Sequence, residues 1–297
     1  MGRSIQGKIT VLGVRARKGA PGKQDKLVVL TAYDYPTARA LDQSGVDILL
    51  VGDSLGMVVL GHDTTLPVTL EVMLHHTAAV ARARPRALVV ADMPFLSYHT
   101  GPADAVRHAG RFLQEAGAEA VKVEGGRSRA DIVRAMVAAD IPVMGHIGLT
   151  PQAVNALGGY RVQGKTLSQV DALLADARAL EQAGVFALVL EGIPAKVGAL
   201  VTRAVSVPTI GIGAGPECDG QVLVTHDLLG FTSTAPARFV RRYADLNAAI
   251  VDAGRRFAED VRGGSYPSER ESYPAPPELE AELDARLAPE AVTEPRR

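Results

Sequence analysis

The sequence predicts an α/β fold, a (βα)8 TIM barrel that forms a single domain, and three observations support this. The chain has 297 residues, enough for one barrel domain of about 200 to 250 residues with short extensions. Short runs rich in Val, Ile and Leu alternate with segments of helical spacing. There are eight such runs, the number of parallel strands that closes this kind of barrel.

The eight apolar runs are predicted as strands because near-continuous apolar character is typical of parallel strands buried on both faces. They cover residues 27–33, 47–52, 87–91, 120–123, 142–146, 186–190, 208–212 and 221–225. Helical spacing follows in the intervening segments, for example over residues 103–116 and 167–184. An open doubly wound sheet would give the same alternation, but no Gly-x-Gly-x-x-Gly turn follows the first strand.

Composition divides the chain into three parts. Residues 1–26 form a basic N-terminal leader, residues 27–262 the catalytic barrel domain, and residues 263–297 a Pro/Glu-rich tail that is predicted to be disordered. The tail contains six prolines and eight acidic residues. This composition lacks the large apolar side chains that a folded segment buries.

Charge and cysteine content narrow the function classes. The formal net charge is -1, so no basic excess indicates binding to nucleic acid or to an anionic membrane. The single cysteine, Cys218, cannot form an internal disulfide, which suits a reducing compartment. No apolar run approaches membrane-spanning length. We expect a cytoplasmic protein that acts on small molecules.

Polar residues end five of the predicted strands. Four are carboxylates, and the fifth is a histidine: Asp53, Asp92, Glu124, Glu191 and His146. Isolated charges beside buried strands are costly unless they are paired, hydrogen-bonded or bound to a metal. In a barrel the carboxyl ends of all strands surround one mouth, so these side chains are predicted to converge. Each acid could instead cap the following helix, although glycine follows both glutamates.

Oxygen ligands without thiolates suit a hard cation such as Mg²⁺, which binds one or two carboxylates and keeps positions open for substrate. Asp53 and Asp92 are the natural direct ligands. Glu124 is expected to reach the metal through water. The sequence therefore predicts a magnesium site at the mouth of the barrel.

The remaining polar residues are candidates for substrate binding and proton transfer. Lys122 faces the same side as Glu124 two residues later, where a cation can bind a substrate carboxylate or simply pair with an acid. Ser54 can donate to the same anion, or it is a turn residue. Glu191 is left to act as general base. His146 is either a polar contact or proton shuttle, or a core histidine.

Seven segments of the chain share order and spacing with one known family. They are TAYD (31–34), VGDSLG (51–56), GHDTTLPVT (61–69), VKVEGG (121–126), GHIGLTPQ (145–152), GGYRVQG (158–164) and GIGAG (211–215). Together they resemble ketopantoate hydroxymethyltransferase, and the resemblance spans roughly Ile9 to Tyr273. The tail from Pro274 onward lies outside it.

The resemblance implies a (βα)8 barrel that assembles into a homodecamer and belongs to the one-carbon transferases of class EC 2.1.2. It implies transfer of a hydroxymethyl group from 5,10-methylenetetrahydrofolate to 3-methyl-2-oxobutanoate through a Mg²⁺-stabilised enolate. The product would be 2-dehydropantoate, in the biosynthesis of pantothenate, the coenzyme A precursor.

The family's functional residues can be placed on matching positions of this chain. The implied metal ligands are Asp53, Asp92 and, indirectly, Glu124. Glu191 is the implied proton acceptor. The implied substrate contacts are Asp53, Ser54, Asp92, Lys122 and His146. No motif assigns the residues that contact the folate.

Two other readings compete with the transferase. A lyase or mutase of the phosphoenolpyruvate mutase and isocitrate lyase group also uses Mg²⁺ and 2-oxo acids in a barrel. A lyase of that group is expected to carry a catalytic cysteine in a mobile loop, and Cys218 does not lie in such a context. The other reading is a ring-forming assembly protein without activity, against which the retention of all the acids argues.

Overall fold

Eight parallel strands close into a barrel in which each strand pairs with its neighbours in chain order and β8 pairs with β1. The computed structural model describes residues 7–19, 25–232 and 235–288. The strands are β1 Leu27–Thr31, β2 Ile48–Val51, β3 Leu88–Asp92, β4 Ala120–Glu124, β5 Val143–Gly148, β6 Ala187–Glu191, β7 Thr209–Ile212 and β8 Gly220–Leu223. The predicted (βα)8 barrel is confirmed, and each predicted strand is present with its ends shifted by at most two residues.

Helices occupy the connections between the strands. In the described part of the chain they are α1 Val11–Arg15, α2 Tyr35–Gln43, α3 Leu55–Val58, α4 Leu70–Ala81, α5 Pro102–Gln114, α6 Ala130–Ala138, α7 Val154–Leu157, α8 Leu167–Ala183, α9 Ala195–Ala204, α10 Thr225–Leu228, α11 Leu246–Gly263 and α12 Pro277–Leu287. Asp34, Thr69 and Thr166 cap α2, α4 and α8 by accepting a backbone N–H of the first turn. Gly184 ends α8 in the left-handed conformation, with φ 101°.

Two apolar layers hold the barrel together. One fills the interior with alternate strand residues such as Leu50, Val90 and Val189. The other lies between the sheet and the helices, where Val51 and Ala91 face outward. Side chains alternate between the two faces of a strand, so each strand contributes to both layers. The strands are therefore apolar on both faces.

The amino end of the barrel is closed by the short helix α1. Its Val14 is fully buried and packs with the interior cluster that contains Leu27 and Val29. The Lys8 ammonium donates to the Ala87 carbonyl oxygen at 2.6 Å. Part of the predicted leader thus closes the amino end, while residues 1–6 and 20–24 of that leader lie outside the described residues.

Residues 245–297 cluster as a unit of their own, distinct from the unit that ends at Ala244. The described part contains α11 and α12, and neither helix has a buried residue. Within the segment predicted as a disordered tail, α12 begins at Pro277, which suits the first turn of a helix. The predicted domain boundary at residue 262 stays a prediction, and residues 289–297 lie outside the described residues.

Among the described residues, no helix is both long and apolar enough to cross a membrane.

Candidate active site

The charged residues continue the inward-facing rows of the barrel strands at their carboxyl ends. Pairing of β3 with β4 places Asp92 beside Lys122, and pairing of β4 with β5 places Glu124 beside His146. These four side chains are at most 5% exposed. Glu191 ends β6, and its carboxylate is 16% exposed. The two-residue period of a strand thus brings side chains that are far apart in sequence to one mouth.

Asp53 and Ser54 lie in the turn that joins β2 to α3. The backbone N–H of Asp53 donates to Asp92 Oδ2 at 3.1 Å, which fixes this turn against the end of β3. A Cβ atom on the preceding Gly52 would lie 2.7 Å from Ser54 Oγ, so a side chain at this position would displace the Ser54 hydroxyl. The Ser54 hydroxyl lies 2.9 Å from the hydroxyl of Tyr33, which holds it in place.

The lysine is surrounded by acids. Lys122 Nζ lies 2.9 Å from Asp92 Oδ1, which has no aligned hydrogen-bond partner. Burial works to lower the pKa of Lys122, but the charges of Asp92, Glu124 and Asp53 raise it above its usual value. Burial raises the pKa of Asp53 well above its usual value, and the neighbouring Asp92 and Glu124 carboxylates add to the effect. The cluster therefore places three carboxyl groups around the single ammonium of Lys122.

His146 connects the acid cluster to Glu191. Its Nδ1 lies 3.2 Å from Lys122 Nζ and 3.5 Å from Glu124 Oε1, and its Nε2 lies 3.2 Å from Glu191 Oε2. The Nε2 contact lacks hydrogen-bond alignment. Burial and the Lys122 charge work to lower the pKa of His146, but the Glu124 and Glu191 carboxylates raise it to about 9. The imidazole is thus a polar link in the site.

Gln152 is a site residue to which the sequence patterns assigned no role. Its side-chain amide donates to Asp53 Oδ2 at 2.8 Å and to the Met93 carbonyl at 3.0 Å. Its backbone N–H donates to Glu124 Oε2 at 2.9 Å. The Tyr98 hydroxyl donates to Gln152 Oε1 at 2.6 Å. Gln152 therefore fixes one oxygen of each of two acids that come from different strands.

The donor set fits Mg²⁺ bound jointly by protein, water and substrate. Within residues 7–19, 25–232 and 235–288, no group of three His, Cys, Asp or Glu side chains forms a complete metal cage. Mg²⁺ does not need one, because it typically takes one or two carboxylates and fills its octahedron with water and substrate oxygens. Asp53 and Asp92 supply such oxygens, and a divalent cation would relieve the repulsion that raises the pKa of Asp53.

All seven side chains that the sequence indicates line one cavity of about 190 Å³. They are Asp53, Ser54, Asp92, Lys122, Glu124, His146 and Glu191. Leu50, Val189, Ile212 and Val222 form an apolar part of the same cavity. An apolar pocket with few convergent polar groups is typical of a site for a small molecule.

The architecture and the placement of these side chains define a class of protein. A closed parallel barrel with its charged residues at the carboxyl ends of the strands is a (βα)8-barrel enzyme. The model of the ketopantoate hydroxymethyltransferase family matches residues 8–269. The chain therefore belongs to this family.

Curated relatives support this assignment over nearly their whole length. One from Koribacter versatilis (strain Ellin345), named 3-methyl-2-oxobutanoate hydroxymethyltransferase, is 56% identical over 262 residues, which cover 88% of this chain and 89% of the relative. Another of the same name, from Carboxydothermus hydrogenoformans (strain ATCC BAA-161 / DSM 6008 / Z-2901), is 53% identical and covers 92% of this chain and 98% of the relative.

Solved structures share the fold at much lower identity. Phosphonopyruvate hydrolase in complex with oxalate and Mg²⁺ is 17% identical with a TM-score of 0.57, covering 93% of this chain and 96% of that one. One crystal form of 2,3-dimethylmalate lyase, a member of the PEP mutase/isocitrate lyase superfamily, is also 17% identical with a TM-score of 0.57, covering 94% and 95%. The lyase and mutase group predicted as the alternative is thus similar in fold alone.

Proposed function

We propose that this chain transfers a hydroxymethyl group from 5,10-methylenetetrahydrofolate to 3-methyl-2-oxobutanoate, forming 2-dehydropantoate for the biosynthesis of pantothenate. The observation that carries the proposal is the convergence of Asp53, Asp92, Lys122 and Glu191 on one small cavity with an apolar side. The names of relatives that are 53–57% identical support the substrate. Their identity favours the transferase over a lyase or mutase, because solved structures with those names that match at 17–21% identity are similar to this chain in fold alone.

Asp53 and Asp92 are the proposed direct ligands of Mg²⁺, with Glu124 acting through water. When bound, Mg²⁺ would supply an electrophile that stabilises negative charge on the substrate's keto oxygen as the C3 proton leaves. Gln152 holds one oxygen of Asp53 and one of Glu124 through two donated hydrogen bonds. The proposed role of Gln152 is to orient these two carboxylates.

Lys122 and Ser54 are proposed to hold the carboxylate end of the 2-oxo acid. Lys122 is buried, which makes its charge effective over a short distance. Its contact with Asp92 fixes the ammonium beside the proposed metal ligand. The Ser54 hydroxyl is oriented by Tyr33. Together they place the substrate's isopropyl group toward the apolar side chains of the cavity.

Glu191 is the proposed acceptor of the C3 proton. Its carboxylate lies 3.2 Å from His146 Nε2, a contact that holds the carboxylate in position beside the cavity. The methylene carbon of the folate loses both of its bonds to nitrogen. One is replaced by the bond to the substrate carbanion and the other by the bond to the oxygen of a water molecule, which becomes the new hydroxyl group. The C3 proton and one proton of that water balance the two nitrogens of the tetrahydrofolate product.

We also propose a homo-oligomeric assembly, with the decamer of the family as the expected size. Supporting it, α11 carries an apolar stripe along one face. The stripe consists of Ile250, Phe257 and Val261, which are 47%, 55% and 47% exposed. Sedimentation velocity of the purified protein checks this. A monomer at micromolar concentration would contradict it.

The cytoplasm is the proposed location. Cys218 is buried and unpaired, which suits a reducing compartment. Fractionation of the native source with an antibody to this chain checks the location.

Proton NMR tests the proposed reaction directly. The purified protein is incubated in D2O with 3-methyl-2-oxobutanoate, Mg²⁺ and methylenetetrahydrofolate, with a chelator control. We expect loss of the C3 proton signal together with new hydroxymethyl signals, and both are abolished by chelator. Exchange without a hydroxymethyl product would contradict the folate half of the proposal. If the folded protein changed neither signal, both halves of the proposal would be contradicted. The lyase and inactive-assembly hypotheses would then be favoured.

A further inference from the structure

A carboxylate that the proposed chemistry does not use lines the same cavity as Glu191. Asp227 belongs to α10, which follows β8, and its side chain is half-buried. Among the residues that the structure describes, it has no hydrogen-bond or ion-pair partner. Burial raises the pKa of its carboxyl, against the opposing effect of the Arg242 charge. A half-buried carboxylate that faces a cavity is available to accept hydrogen bonds from a ligand.

Aromatic rings also line this cavity. Phe239 and Tyr160 line it and are 41% and 47% exposed. Phe239 lies on Gly213, which has a φ of 63°, and a Cβ atom there would be 2.8 Å from the ring Cδ1. The glycine therefore seats the Phe239 ring close to the end of β7. Exposed ring faces beside a cavity favour a flat ligand.

A basic segment continues from the aromatic ring. Arg238, Arg241 and Arg242 are exposed, and none pairs with an acid in the described part of the chain. The backbone N–H of Tyr243 donates to the Leu228 carbonyl at 2.8 Å, which fixes this segment against α10. We call Asp227, Phe239 and these three arginines the β8 rim. It offers, in order, a hydrogen-bond acceptor, an aromatic face and a cluster of cations.

We propose that the β8 rim binds the folate co-substrate. In this arrangement Asp227 accepts hydrogen bonds from the 2-amino and N3 groups of the reduced pterin, whose adjacent donors match a carboxylate. The ring packs on Phe239, and the arginines bind the glutamate carboxylates of the tail. The inference rests on the proposed function, because it deepens the assignment of methylenetetrahydrofolate as one-carbon donor.

Location within the cavity favours the β8 rim over another cavity nearby. A cavity of about 410 Å³, lined by Phe95, His99 and Arg129, also offers rings and a cation. It shares only Glu124 with the cavity that contains Glu191. The methylene carbon must reach the substrate carbon that Glu191 deprotonates, at a near-attack distance. Asp227 and Glu191 line one cavity, so the β8 rim meets this requirement.

Equilibrium binding of tetrahydrofolate tests the inference separately from turnover. Calorimetry on the full-length protein with Mg²⁺ and 3-methyl-2-oxobutanoate gives the Kd of the monoglutamate and triglutamate forms. We expect Asp227→Asn to raise the Kd of both forms by about 10- to 100-fold, the usual effect of losing a charge-assisted hydrogen bond. The Kd of the oxo acid should change at least tenfold less. Arg241→Gln with Arg242→Gln should weaken the triglutamate more than the monoglutamate.

Matched variants keep the test decisive. Asp171→Asn removes an exposed carboxylate on α8 and should bind tetrahydrofolate like the wild type. Phe239→Leu should weaken binding, whereas Phe95→Leu, which alters the 410 Å³ cavity, should not. If Asp227→Asn does not fold, the Phe239 and arginine variants carry the test.

The outcomes separate this inference from the proposed function. The β8 rim is overturned if the Asp227, Phe239 and arginine variants all bind tetrahydrofolate with wild-type affinity. It is also overturned if Phe95→Leu alone weakens binding. In both cases, product formation by the wild-type protein would still support the transferase. A wild-type protein that forms no hydroxymethyl product and binds no tetrahydrofolate overturns both.

Discussion

Carboxylates have different kinds of partners at the two ends of the barrel. At the amino end, Asp219 accepts a backbone N–H from Thr209 at 2.8 Å and pairs with Lys18 at 3.0 Å. Asp42 accepts the backbone N–H groups of Arg86 and Ala87. Each of these acids thus has its own donors, and the network joins elements that are far apart in the chain.

At the carboxyl end, three carboxyl groups share a single lysine. Asp53, Asp92 and Glu124 surround Lys122, and the next donors are His146 and Gln152. Burial and mutual repulsion raise the pKa of Asp53 as a result. The difference indicates that paired charges hold the barrel closed at one end, whereas three carboxyl groups around one lysine at the other end offer oxygen ligands for a cation and polar contacts for a substrate.

Removing the proposed base at the carboxyl end is expected to have the largest effect on activity. We expect Glu191→Gln to lower kcat by about 10²- to 10⁴-fold, the usual effect of a lost general base. Initial rates at saturating substrates measure it. Unchanged Mg²⁺ binding and circular dichroism serve as controls for folding. Turnover at the wild-type rate would show that another group accepts the proton.

Removing one of the clustered carboxylates should weaken binding of the metal ion. Asp53→Asn and Asp92→Asn each delete a charged oxygen that we assign to Mg²⁺, so we expect the Kd of the ion to rise by at least about tenfold. Titration with Mn²⁺, followed by electron paramagnetic resonance, measures binding without turnover. Asp63→Asn, which changes an exposed loop acid, should bind like the wild type. Identical titration curves for both site variants would move the metal elsewhere.

Gln152 orients two of the acids without contributing a charge. A change at this residue therefore tests the orientation of the carboxylates separately from their charge. We expect Gln152→Ala to raise the Kd of Mn²⁺ by about tenfold, since it frees Asp53 from a 2.8 Å hydrogen bond. The backbone donor to Glu124 remains, so the loss should be smaller than for Asp53→Asn. Asn155→Ala, an exposed change in the same connection, is the control. If Gln152→Ala lowered stability while metal affinity stayed intact, its role would be structural only.

Much of the barrel and the polar strand ends could be predicted from the sequence. Strands buried on both faces read as continuous apolar runs, so the eight strands and the residues that end them are visible in the pattern. The ends of the strands are predicted less accurately. β5 reaches Gly148 rather than ending at residue 146, because its pairing with β6 continues as far as Glu191.

The loop residues of the site could not be predicted in the same way. Gln152 meets Asp53 across 99 positions of sequence, and the contact depends on how two connections fold over the mouth. Tyr98 reaches Gln152 from a third connection. The only signal was that Gln152 ends the segment 145–152 of the family resemblance. Asp227 gave no signal, because only the closed barrel brings α10 to the cavity that contains Glu191.

The smallest expected effect on activity comes from the amino end, and it tests the other half of the comparison. Asp219→Asn replaces a carboxylate, 9% exposed, that contacts Lys18 and Thr209. Because a buried charged hydrogen bond is lost, we expect the free energy of unfolding to fall by about 1–3 kcal/mol, while kcat/KM stays at the wild-type value. Urea denaturation and initial rates measure the two quantities. Asp131→Asn, whose side chain is 87% exposed and pairs with Arg134, should cost less than about 0.5 kcal/mol. A large loss of kcat/KM in folded Asp219→Asn would mean that the amino end also tunes the site.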